Sequence, residues 1–420
     1  MINNPNNHKS PVELFLFFLL LFFAFFFLIS GYALVRSAGA SLFIAVFGSS
    51  GLPVAMAFEP VMMFVFVYVY SRVLTSQGSR RTAFFSCILT SAVFLISYFV
   101  VTSKLRFLDK AVLATLYVFC ELYVVIIAEQ FWSFVNSTLV PDEARICNGL
   151  ISAGASAGTI VSSLFMRNMV VEIGTENILL IAAGLMIPVA LLIYSAYGIF
   201  GEPKPSRKEA DGKKGVLHVS LLLKNKILMR LAVIVFLAQV FTMCANLQFF
   251  EFVEAAFPQK DLRTAYLADF WMKIGIISLL LDFIVAPLAL IFLKPGTIMI
   301  IVPCINAAMG ILMFCVPSLE TAKLCLGTFK VQDYSVFRSA KEIFYIPLDF
   351  NARYRAKQII DSFNYRVSKG ISAAGVAVFR MAGGVVSSSG FAAAAVAAAF
   401  LWITAAAYLK KEENIAEERV

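Results

Sequence analysis

Apolar residues along this chain gather into long runs separated by short polar interruptions, and several runs reach the roughly 20 residues that a hydrocarbon core about 30 Å thick demands. They lie at 12–35, 51–73, 82–103, 111–135, 146–170, 178–200, 227–250, 266–293, 297–316, 321–346, 358–380 and 386–409. Backbone groups in lipid must find partners within their own segment or in a closed barrel, so runs of this length predict helices. The runs fall into six plus six. Between the halves, Gly201 to Lys226 carries Glu202, Lys204, Arg207, Lys208, Glu209, Asp211, Lys213, Lys214 and Lys224 with Pro203 and Pro205, the composition of a solvated linker. The expected organisation is an amino-terminal six-helix bundle over 1–200, a charged cytoplasmic linker over 201–226, a carboxy-terminal six-helix bundle over 227–410 and a cytoplasmic tail over 411–420. The first run, Val12 to Val35, is too long for the apolar region of a secretory signal and no A-x-A-like site follows it, so it is expected to remain as the first helix.

Composition strengthens this picture. Of 420 residues, 60% are hydrophobic and 15% charged, and the mean hydropathy of +0.84 exceeds what a soluble domain hides from water. The lipid bilayer is thus the first expected partner, and the 41 Phe and 14 Tyr suit lipid-facing and interfacial positions. The expected fold is an all-α polytopic membrane protein of about 12 transmembrane helices.

The net charge of +9 changes the topology more than the function. Much of it sits beside membrane ends, as the positive-inside bias requires, and nucleic acid is not an expected partner. With the basic linker inside, both termini are cytoplasmic, and roughly twenty Lys/Arg fall inside against roughly nine outside. Lys104, Arg106 and Lys110 run against the trend. Seven scattered cysteines lack the close pairs of a metal or redox site, and His8 and His218 lie outside the apolar runs. Neither a metal, a cofactor nor enzymatic chemistry is expected.

The halves echo each other: Asp142-Glu143-Ala144-Arg145 and Asp349-Phe350-Asn351-Ala352-Arg353 each precede a helix rich in small residues. A parallel duplication of two six-helix bundles is the major-facilitator arrangement, which places a substrate cavity between the halves near the midplane. Gly154 and Gly158, and Gly370 and Ala374, would let their helices pack closely.

Charges inside the runs carry the chemistry. In 321–346, Lys330, Asp333, Tyr334, Phe337, Arg338, Lys341, Glu342 and Tyr345 form one stripe at helical spacing. Five charges facing lipid would cost on the order of 12–17 kcal/mol, so the stripe faces protein or a wet cavity, unless the membrane segment stops near Phe329 and an amphipathic cytoplasmic helix follows. In 111–135 and just beyond, Glu121, Glu129, Trp132 and Asn136 share a face, as partners of Lys330 or Lys341 or as groups that take up protons or contact substrate. Asp269 and Lys273 are spaced as a local i,i+4 pair, with Asp282 on the opposite face. Glu59 precedes Pro60, where a kink opens the backbone. Asp361, Tyr365 and Lys369 share a face, with Arg366 off it. The cations Arg36, Lys273, Lys330, Arg338, Lys341 and Lys369 favour a small anionic solute such as a phosphate ester. The candidate binding set is Arg36, Glu121, Glu129, Asn136, Lys330, Asp333, Tyr334, Arg338, Lys341, Glu342 and Lys369.

Several of these residues stand in a pattern that resembles the ATP/ADP translocases of intracellular bacteria and plastids. The longest match is Tyr334-Ser335-Val336-Phe337-Arg338-Ser339-Ala340-Lys341-Glu342-Ile343-Phe344-Tyr345-Ile346-Pro347-Leu348-Asp349, followed by Arg355-Ala356-Lys357, Ile360-Asp361, Arg366 and Lys369-Gly370. Glu121-Leu122, Phe131-Trp132-Ser133-Phe134-Val135-Asn136 and Glu143-Ala144-Arg145 are similar to that family's fourth helix and the loop after it. The resemblance implies a twelve-helix facilitator-like fold, a bacterial inner-membrane location, ATP:ADP exchange by alternating access, and functional roles for Glu121, Lys341 and Glu342. Departures stand beside it. The family's Leu-Arg-Asp-x-Lys-Asp reads Val35-Arg36-Ser37-Ala38-Gly39-Ala40, keeping the arginine and losing the lysine. Its Asn-Leu-Val-Glu-x-x-Trp-Lys reads Asn246-Leu247-Gln248-Phe249-Phe250-Glu251-Phe252-Val253, with neither that glutamate nor that lysine, and Arg338 replaces an aspartate. ATP carries about four negative charges, and loss of cationic partners in a low-dielectric cavity weakens its binding steeply.

Three functions follow as expectations. The first is a secondary transporter of an anionic solute, by resemblance an ATP:ADP antiporter. The second is a proton-coupled facilitator-type carrier of another organic anion, titrating at Glu121 or Glu129. The third is a non-transporting membrane scaffold whose polar stripe knits the halves together.

Overall fold

The computed structural model describes residues 9–103, 106–201, 225–345, 360 and 364–417, and no strand occurs among them. The helices are α1 (Pro11–Phe47), α2 (Leu52–Thr102), α3 (Arg106–Thr138), α4 (Pro141–Ile173), α5 (Thr175–Phe200), α6 (Lys226–Ala256), α7 (Lys260–Leu280), α8 (Ala286–Phe292), α9 (Pro295–Cys315), α10 (Leu319–Tyr334), α11 (Val336–Ile343), α12 (Tyr365–Met381) and α13 (Ser388–Glu417). Among the described residues, nine helical stretches are long and apolar enough to cross a membrane, making this a multi-pass membrane protein. One of them, Ser49–Thr102, holds 54 residues and is broken at Gly78, whose φ of 77° only glycine adopts freely, so it supplies the two predicted segments 51–73 and 82–103. Gln130 of α3 marks the break by donating to the Ser79 carbonyl at 2.7 Å. Each of the twelve predicted runs is met by helix among the described residues.

Contacts divide the chain into two units. The first comprises Met1–Phe47, Val61–Lys214 and Pro258–Gly275; the second comprises Gly48–Pro60, Gly215–Phe257 and Ile276–Val420. The stretches 48–60 and 258–275 thus group across the expected bundle boundaries, and most of the linker expected over 201–226 lies outside the described residues.

In the first unit α1 runs between α4, α5 and α3. A Cβ on Gly154 would lie 2.6 Å from the Phe22 carbonyl oxygen, and one on Gly158 only 2.4 Å from that of Phe26, so α4 meets α1 backbone to backbone. The Ser30 hydroxyl donates across this seam to the Gly158 carbonyl at 3.2 Å. Stacked rings fill the α1–α3 interface, with Phe25 and Phe131 at 4.7 Å. The segment 258–275 caps its neighbours: the Thr175 backbone N–H and hydroxyl donate to Asp261 at 2.8 and 2.6 Å, and buried Arg263 donates to the Ser41 carbonyl at 2.7 Å.

At the start of α4, Glu143 accepts from the Lys9 backbone N–H at 2.7 Å, from its ammonium at 3.3 Å and from the Val140 N–H at 3.3 Å. Burial pushes its carboxyl up, but the two backbone donors and the Lys9 charge outweigh burial and hold it below the usual carboxylate range. A depressed folded value gives stability that is present above the unfolded pKa and lost as pH falls through the folded one. Acidification below about pH 4 is therefore expected to free the segment around Lys9, read as faster amide exchange there, and Glu143→Gln should remove the pH step. A pH step of the same size in Glu143→Gln would contradict this.

In the second unit α6 packs against α13, α10 and α12, and α9 against α13, α10 and α11. Its core centres on Trp402, fully buried, with Phe329 at 6.1 Å and Phe337 at 5.4 Å, both edge to face. Asn306 joins α9 to α10 through Gln332 at 2.7 Å. Two helices in this unit are irregular. Leu281–Val285 forms a π-turn between α7 and α8, and Ser335, at φ −127° and ψ −102°, separates α10 from α11.

Candidate functional site

The first unit holds Arg36, Glu121, Glu129 and Asn136. Arg36 projects from α1 onto Trp271 with its guanidinium carbon 3.3 Å from the indole centroid, and Tyr32 lies one turn earlier at 5.6 Å. A planar cation on an aromatic face is held by the ring quadrupole and by stacking. Tyr32 in turn meets Tyr123 of α3 at 6.5 Å, and Tyr123 is buried two residues from half-buried Glu121. Arg36, Tyr32, Tyr123 and Trp271 therefore share one neighbourhood. Sequence reasoning missed Trp271, which sits in an apolar run with nothing in its spacing to mark it.

The face predicted on 111–136 is a single face, turned from the core. Glu121 and Trp132 are half-buried and Glu129 and Asn136 exposed, while Leu122, Tyr123, Ile127, Gln130, Phe131 and Phe134 are buried. Glu129 is thus not the buried carboxylate that an apolar segment suggests.

The second unit holds the remaining candidates. Lys330 is buried on α10, its ammonium 5.5 Å from the Phe329 ring and 5.8 Å from that of Tyr334. Asp333 is half-buried and Tyr334 exposed. Beyond the break at Ser335, Arg338 is exposed and close enough to Asp282 of the π-turn for their charges to interact. Lys341 and Glu342 are half-buried on α11, and both have partners.

The break corrects the predicted stripe. A continuous helix over 321–346 would have kept Phe337 and Tyr345 on the polar face, but both are buried, at 3% and 1% exposure, and Phe337 packs on Trp402. Unwinding at Ser335 re-aims the helix so that these rings enter the core. Irregular backbone at membrane depth is tolerated where protein or a wet cavity covers it, and discontinuous helices often carry transport sites.

Lys369, on α12, is engaged by Glu59 of α2: its ammonium lies 2.9 and 3.1 Å from the two carboxylate oxygens. Asp269 and Lys273 form the expected i,i+4 pair at 2.6 Å, and Arg167 of α4 adds a second cation at 2.8 Å. Asp361, expected on the Lys369 face, lies outside the described residues, as does the stretch from Ile346 to Lys357.

Two departures from the translocase pattern acquire a physical setting. Gly39 is buried, and a Cβ there would stand in van der Waals contact with the Cys120 sulfur, at 3.4 Å. Val253 is fully buried in the second unit.

Residues 326–412 match the family model of the TLC ATP/ADP transporter, which bears out the resemblance over α10 to α13. No curated protein sequence matches the chain. Among solved structures, a bacterial homologue of the iron transporter ferroportin in an inward-facing state is similar at a TM-score of 0.70 and 9% identity, covering 96% of this chain and 99% of that one. The nucleoside transporter NupG is similar at 0.62 and 13%, covering 95% and 99%. A D-xylose-proton symporter is similar at 0.61 and 14%, covering 92% and 97%. At these identities the likeness is one of fold, and the fold is major-facilitator-like, as expected.

Proposed function

We propose that this chain is a secondary membrane transporter of a small anionic solute, working by alternating access, with ATP:ADP exchange as the first substrate pair to test. The observation that carries the reading is a coincidence of position: the segment matching the ATP/ADP transporter family, 326–412, also bears Lys330, Arg338, Lys341, Glu342 and Lys369. In this reading Arg36, Lys330, Arg338, Lys341 and Lys369 hold negative groups. Tyr334 and Asn136 supply hydrogen bonds, and Glu121, Glu129, Asp333 and Glu342 orient the cations or couple solute binding to the conformational change. Arg36 is favoured among them because its guanidinium, held against Trp271, is the group whose planar fork suits phosphate or carboxylate.

A second reading, a carrier of a smaller organic anion driven by protons, is favoured by Gly39 and Val253. Both stand where the family has lysine, and both are buried, so this chain offers fewer cations to a tetra-anionic nucleotide.

Purified protein in liposomes separates the two, with labelled ATP outside and ADP, buffer or a pH gradient inside. Exchange predicts uptake only with internal ADP, lowered at least about tenfold by Lys341→Ala, as loss of one charge-assisted contact of about 1.5–3 kcal/mol implies. Uptake that needs the pH gradient and not ADP would replace exchange with proton coupling. Equal background in all three conditions would remove ATP from consideration.

A further inference from the structure

The ion pair between Glu59 and Lys369 lies wholly within the second unit and joins two helices remote in sequence. Glu59 is 5% exposed, and its carboxylate is the better sealed partner, with 6% of its side chain exposed against 20% for Lys369. The helices touch beside the pair: a Cβ on Gly370 would stand 2.3 Å from Pro60 Cγ and 2.8 Å from Cδ, so only glycine admits the approach. The pair is therefore built into the seam between α2 and α12.

Stability alone does not account for it. Removing two charges from water costs as much as their attraction returns, and apolar residues of similar volume hold a seam equally well or better. A charge retained inside a membrane segment points to a working role. Lysine suits one: its ammonium is a point charge on a flexible stem with three rotatable donors, able to leave one oxygen anion for another without a fixed geometry.

We infer that Glu59 is an internal competitor for Lys369, holding its ammonium until the phosphate or carboxylate oxygens of the solute displace the glutamate. The inference rests on the anionic-solute reading above and deepens it by naming the contact that solute must break. Access is from the lysine side, where the pair is less sealed. A solute bearing several negative oxygens outcompetes one carboxylate, and a neutral analogue does not, so the pair also discriminates by charge.

The test is equilibrium binding of labelled ATP, ADP and inorganic phosphate to the purified full chain, with Glu59→Gln, Lys369→Gln and the double variant beside the parent. If the glutamate-held state makes up about nine-tenths of the population, its removal raises apparent affinity about tenfold. Support requires that gain in Glu59→Gln, a loss in Lys369→Gln, and a double variant as weak as Lys369→Gln. A folded Glu59→Gln with unchanged or weaker binding overturns the inference and leaves the anion reading standing. Absence of binding to the parent by all three probes overturns both. Should Glu59→Gln fail to fold, infrared difference spectra of the parent and Glu59→Asp on adding whichever probe binds decide the matter. A carboxylate band that shifts on binding and moves in Glu59→Asp supports displacement, and a band indifferent to the anion overturns it.

Discussion

Leucine in place of Gly158 is expected to prevent the amino-terminal unit from folding. A first side-chain carbon there would sit 2.4 Å from the Phe26 carbonyl oxygen and 2.9 Å from the Ser30 hydroxyl. The near atom belongs to a helix backbone, which cannot rotate aside as a side chain does. Overpacking costs about 1–3 kcal/mol where neighbours adjust, and here α1 must move bodily away from α4, breaking the Ser30 bond to the Gly158 carbonyl and the packing of Gly154 on Phe22. The measurement is the yield of monodisperse protein in mild detergent together with its melting temperature. Gly149→Leu on the same helix, where nothing stands within 4 Å of the new carbon, should behave like the parent. Equal behaviour of the two variants would show that the seam is not as tight as described.

Trp402→Ala is expected to cost about 3–5 kcal/mol, the range for removing a large buried ring, and to abolish transport where the protein survives. Trp402 is fully buried and touches Phe329 before the break at Ser335 and Phe337 after it. It therefore sets the angle between α10 and α11, and with it the placing of Lys330 on one side and of Arg338, Lys341 and Glu342 on the other. Trp402→Phe keeps the aromatic contact and should recover most of the melting temperature. If Trp402→Ala kept full transport activity, the angle between the two helices would not matter to the site.

What could be read from the chain beforehand follows a physical division. The membrane class and the helical runs are set by the length and apolarity of each segment, which are properties of the sequence alone. The close seam at Gly154 and Gly158 was legible for the same reason, since small residues at helical spacing have few other uses in a membrane helix. Breaks were not. The run 321–346 is helical by composition throughout, and only tertiary packing, the pull of the Trp402 core on Phe337, explains why the chain turns at Ser335. The same holds for partners: Lys369 and Glu59 were each visible as charges in apolar runs, but they stand 310 residues apart and no local pattern joins them. The exposure of Glu129 was not legible either, because hydropathy tells how apolar a segment is, not which of its faces a bundle covers.

The stacking of Arg36 on Trp271 carries a consequence for entropy. A long cationic side chain in free rotation gives up about 2 kcal/mol of conformational freedom when it grips a ligand. Here the indole has already removed part of that freedom on folding, so in the anionic-solute reading proposed above Arg36 would hold the solute at a smaller entropic loss on binding. Lysine at position 36 would conserve the charge and lose the planar cation that rests on the indole.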